Sequence, residues 1–126
     1  MQHWTFEEAT TALPQVRATV QRIRRLVTEA QERAQAGGRD GASVSGNGHG
    51  PAVRGDDREL QALIAALTDR GIIVRDPARG LIDFPAQSPG GDTYLLCWLD
   101  GEDAIEWWHW PDAGFAGRTP LTDPPG

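Results

Sequence analysis

TYLLCWLDGEDAIEWWHW, residues 93–110, decides how the chain folds. Two short apolar runs, rich in aromatic and branched side chains, flank the polar tetrapeptide Asp100–Asp103, and together they read as a β-hairpin. A two- or four-residue turn would place Tyr94, Leu96, Trp98, Ile105, Trp107 and His109 on one face. Leu95, Cys97, Leu99, Trp108 and Trp110 would then share the other, and an odd connection would exchange the partners. Either way both faces are apolar, whereas a sheet with one solvated face alternates apolar with polar. Something must therefore cover the second face: the Gly-rich segment PDAGFAGR folding back, a second subunit, or a ligand lodged among the indoles.

Upstream, IIVRD at 72–76 and GLIDFPA at 80–86 are runs of the same kind, and Pro77 with Gly80, then SPGG at 88–91, punctuate them as turns. Three or four antiparallel strands are expected. Before Gly71 the period is helical. Thr5 and Glu8 have capping-box spacing, so a helix starts there. Pro14 is expected to divide it into a short helix through about Ala12 and a long one from Leu13. Along the long helix Leu13, Val16, Val20, Ile23, Val27, Ala30 and Ala34 alternate spacings of three and four, the pattern of a coiled-coil seam against a partner helix. Asp56 and Glu59 are a second capping pair, opening a helix whose Leu60, Leu63, Ile64 and Leu67 form one face before Gly71 stops it. Residues 36–55, rich in Gly and Ser and without apolar periodicity, read as a flexible loop, and His49 within it as solvated. The fold class is α+β: a long antiparallel helical hairpin packed on a three- to four-stranded meander, in one domain over 1–126.

Composition bounds the function. The chain has 126 residues and a formal net charge of −6, with one cysteine and no lysine. No apolar run reaches the roughly 20 residues that cross a bilayer. The start MQHWTFEEATT has neither basic leader nor apolar stretch, and Cys97 has no partner for an intramolecular disulfide, so a cytoplasmic location is expected. Residues 1–39 carry a net +2 and residues 83–126 a net −7. A basic helix beside an acidic sheet reads as neutralisation within the fold, and neither nucleic acid nor membrane is expected as a partner. The heptad seam and the second apolar sheet face together predict self-association.

WTFEEATTALPQVR, GLIDFPA, LCW followed by GE, and WHWPDAGFAGRTPL, in this order, resemble a bacterial family of unknown function, domain of unknown function 2203. The resemblance spans most of the chain outside 36–55. It implies a fold but no activity, and it singles out Asp83, Trp98, Glu102, Trp108, His109, Asp112, Gly114, Phe115, Gly117 and Arg118.

Three chemistries are open to these residues. Asp83, Glu102, His109 and Asp112 could ligate a divalent metal, although no fixed ligand spacing is present. Alternatively, Arg118 could bind a small anion through its planar fork, with amides of the Gly114–Gly117 turn, His109, Trp98 and Trp108 completing the site. In the structural reading, Arg118 pairs with Asp112 or Glu102 and pins the tail. Cys97, mid-strand, reads as a buried and inert thiol, and GFAG lacks the context of a phosphate-binding loop. Two functions follow: a non-enzymatic binding or interaction module with an anion site at the GFAGR turn, or a small metal-dependent enzyme or metal-binding protein centred on His109.

Overall fold

The computed structural model of the chain describes residues 3–44 and 55–126, the side chains of 37–44 excepted. Helix α1 spans Phe6–Val44 and α2 spans Gly55–Thr68; strands β1 (Ile73–Asp76), β2 (Leu81–Gln87), β3 (Thr93–Leu99), β4 (Trp107–His109) and β5 (Thr119–Pro120) follow. The strands form one sheet in chain order, each neighbour antiparallel. The expected α+β architecture holds, with five strands rather than three or four. The fifth, only two residues long, carries no periodicity that could announce it.

The start of α1 is the reciprocal capping box: the Glu8 amide donates to Thr5 Oγ1 at 3.0 Å, and the Thr5 amide to Glu8 Oε1 at 2.9 Å. Two expectations about this helix are corrected. Pro14 lies inside a continuous helix and does not divide it. Its missing N–H removes one ladder bond, but Ala9, Leu13 and Val16 on either side are buried, and their packing holds both halves on one axis. The helix also runs on to Val44, so residues 36–44 of the expected loop are helical. Once a helix is nucleated, each added residue gains a backbone hydrogen bond, which carries it through Gly37, Gly38 and Gly41. Gly55 at its other end opens α2, and residues 45–54, with His49, lie outside the described residues.

The seam of α1 serves the chain's own core. Leu13, Val16, Val20 and Ile23 belong to one buried cluster with Ile82, Phe84, Leu96 and Trp98 of the sheet. Leu60, Leu63 and Ile64 of α2 pack on its margin, while Leu67 and Ile72 lie within it. The seam from Leu13 to Ile23 thus meets a sheet as well as a helix, while Val27 and Ala30 are half-buried and Ala34 is exposed. Helix α2 begins at Gly55, one residue before the expected cap Asp56, and the Glu59 carboxylate accepts two bonds from Arg22 at 2.8 Å, which tie the helices together.

One ion pair joins the basic helix to the acidic end of the chain: Arg24 Nη1 lies 2.7 Å from Asp100 Oδ2, and Arg17 donates to the carbonyl of Asp103. Gly80 makes this approach possible. Its φ of +75° suits a residue without a side chain, and a Cβ there would stand 2.7 Å from Asp100 Cβ and 2.9 Å from Arg24 Cδ.

Candidate functional site

The β3–β4 register places the site. Leu95 pairs with His109, Leu96 with Trp108 and Cys97 with Trp107. The connection is therefore odd, and the expected faces are exchanged: Trp107 and His109 share a face with Leu95 and Cys97, while Trp108 joins Leu96 on the helix side. Residues 98–106 separate the paired Cys97 and Trp107; within them the Glu102 amide donates to the Leu99 carbonyl, and the Glu102 carboxylate accepts from the Leu99 amide at 2.8 Å.

Strand β2 adds Asp83 opposite Cys97. Asp83, Cys97 and His109, at 0%, 1% and 2% exposure, thus meet on the face away from the helices. His109 Nε2 lies 3.1 Å from Asp83 Oδ1, and Arg75 Nε donates to Asp83 Oδ2 at 2.7 Å. Arg75 reaches there from an irregularity in β1, between Val74 and Asp76. The other ring nitrogen, His109 Nδ1, lies 2.8 Å from the Trp110 carbonyl. A carbonyl only accepts, so Nδ1 is the nitrogen that donates there, and Nε2 faces the Asp83 carboxylate. Arg75, Asp83, Cys97 and His109, with Leu81, Gly114 and Phe115, surround a cavity of about 80 Å³.

The cover over this face is the chain's own segment 110–118. Trp110 supplies the carbonyl for His109, and Gly114, at φ +69°, turns the backbone so that it and Phe115 reach the cavity. Arg118 closes the segment. Its Nη1 and Nη2 each lie 2.8 Å from a Glu102 carboxylate oxygen, and Nη2 also donates to the Cys97 carbonyl at 3.3 Å. Phe115 and Trp107 lie beside the guanidinium carbon, with ring centroids 4.6 and 5.1 Å away. Burial lowers the pKa of Arg118, but Glu102 and Cys97 together more than offset this and leave it raised.

The chain matches, over residues 2–121, the family described as Uncharacterized conserved protein (DUF2203). It belongs to that family. No curated protein and no solved structure shows significant similarity to it. For this DUF2203 protein, the fold separates the residues singled out by sequence. Asp83, His109, Gly114 and Phe115 come together at the cavity. Glu102 and Arg118 pair with each other beside it, and Asp112 is exposed and does not line it. Trp98 and Trp108 lie on the helix side, their Nε1 atoms donating to the carbonyls of Glu102 and Asp123. Gly117 is set by packing: a Cβ there would stand 2.6 Å from Ala113 Cβ.

Cys97 is the site residue that sequence reasoning left out. Burial, and next the charge of Asp83, push its thiol up to about 12. Only the cross-strand register reveals its neighbours, because Asp83 lies 14 positions before it and His109 12 after. As a nucleophile it has no base, since His109 spends one nitrogen on the Trp110 carbonyl and the other on Asp83. Among the described residues no helix is long and apolar enough to cross a membrane.

Proposed function

We propose that this DUF2203 protein is a small binding protein whose ligand occupies the cavity at Asp83, Cys97 and His109, and not the GFAGR turn. The observation that carries this reading is a fully buried carboxylate, held by His109 and Arg75, at the wall of a cavity of about 80 Å³. Protein interiors are close-packed, and a buried ion pair that serves stability alone is expected to be packed as tightly as its surroundings. A cavity of this size, with Asp83, His109 and Arg75 in its wall, has room for a few waters or one small ion. It is too small for a nucleotide or a sugar. The anion site at Arg118 loses support because the fork of that residue is already filled by Glu102. A covalent enzyme loses support because the thiol lacks a base.

The test is a thermal-unfolding panel with small candidates, including divalent metals, halides, formate and phosphate, on the wild type and on Leu81→Phe. The larger side chain fills the cavity from its apolar wall. At least one candidate should raise the midpoint of the wild type, and the rise should vanish in Leu81→Phe. No rise with any candidate, or an equal rise in both proteins, would overturn the reading.

A further inference from the structure

We infer that the cavity ligand is a single divalent transition metal of the zinc type, held by Asp83 Oδ1, Cys97 Sγ and His109 Nε2. The inference rests on the binding reading above and names the class of ligand. Three observations carry it. One ligand atom from each of the three residues lies within 4.8 Å of the others, and all three residues are buried. They line the same cavity, so an ion there has space beside its ligands. Two of the three are also oriented from behind as metal ligands are: Nδ1 of His109 donates to the Trp110 carbonyl and leaves Nε2 for the ion, and Arg75 holds Oδ2 and leaves Oδ1.

The donor set selects the metal. One thiolate, one imidazole and one carboxylate suit zinc or a similar borderline ion, whereas magnesium and calcium call for oxygen. Leu81, Gly114 and Phe115 offer no further side-chain ligand, so water takes the fourth position, as in zinc sites with three protein ligands. As the sulfur–metal bond forms, the Sγ–H bond breaks and its proton leaves to solvent, and any hydrogen between Nε2 and Oδ1 leaves in the same way, since both atoms bind through lone pairs.

Cobalt is the probe. Metal-free wild-type protein titrated with Co²⁺ should develop a sulfur-to-cobalt charge-transfer band and tetrahedral visible bands that saturate at one equivalent, and Zn²⁺ should bleach them. Cys97→Ser should lose the charge-transfer band, and His109→Gln should weaken cobalt binding by more than the roughly 10- to 100-fold that loss of an outer partner costs. Asp112→Asn, at an exposed carboxylate away from the cavity, should bind like the wild type. X-ray absorption of the zinc-loaded wild type needs no variant and should show one sulfur in the first shell. A spectrum without sulfur, or a charge-transfer band that survives in Cys97→Ser, would overturn the inference. If metals neither colour nor stabilise the protein while another small ligand does so in a cavity-dependent way, the metal assignment fails and the binding function stands. If no small ligand binds, both fail.

Discussion

Arg118 and Glu102 meet end to end, two guanidinium nitrogens each 2.8 Å from a carboxylate oxygen, with side-chain exposures of only 11% and 21%. The pair joins the β3–β4 turn to the end of the segment that covers the polar cavity. Arg118→Ala leaves Glu102 with the Leu99 amide as its remaining donor, and removes the stacking with Phe115 and Trp107. Breaking a largely buried pair costs about 3 to 5 kcal/mol, so the thermal midpoint should fall by roughly 10 °C or more in calorimetry. Arg118→Lys should recover only a minor part, because a point charge cannot reproduce two parallel bonds. An unchanged midpoint would show that the pair does not hold the segment.

The Cys97 thiol is raised in the folded chain to about 12 from an ordinary value near 9. A group whose folded pKa is raised contributes stability below its unfolded pKa and loses it as pH climbs through the folded one. Metal-free protein should therefore lose stability between about pH 9 and pH 12, by on the order of 4 kcal/mol from this residue. Denaturant midpoints of the wild type and Cys97→Ala should converge across that window. Equal slopes would place the alkaline sensitivity elsewhere, with Tyr94, also raised by burial, the next candidate.

Pro14, exposed on α1, interrupts the hydrogen-bond ladder without serving the core. A proline in a helix interior costs about 3 kcal/mol, offset in part by the freedom it removes from the unfolded chain. Pro14→Ala should stabilise the protein by roughly 1 to 2 kcal/mol, read as a higher urea midpoint with an unchanged slope. A lower midpoint would mean that the proline fixes the course of the helix.

Gly80 should tolerate no side chain. Alanine there would combine a positive φ with contacts under 3 Å to Asp100 and Arg24. The expected loss is at least 2 kcal/mol by chemical denaturation, larger than for Gly91→Ala, where φ is also positive but nothing lies within 4 Å. Equal losses at the two positions would leave backbone conformation alone as the cause.

Local rules of period and capping were enough to determine the elements. Thr5 and Glu8 mark the start of α1, the three–four spacing from Leu13 to Ile23 marks its buried face, and the change of period after Gly71 marks the sheet, because helix and strand geometry impress themselves on nearest neighbours along the chain. The site was legible only in part. Asp83 and His109 could be named from family motifs, but their meeting, and the presence of Cys97 between them, depend on two cross-strand registers, β2 with β3 and β3 with β4. The turn within the second is held by Glu102, whose carboxylate accepts from the Leu99 amide and at the same time receives Arg118 from 16 residues further on. A one-residue change in register turns every side chain of a strand to the opposite face. No local pattern in TYLLCWLDGEDAIEWWHW records a partner so distant in the chain, so tertiary structure alone brought a carboxylate, a thiol and an imidazole to one buried cavity.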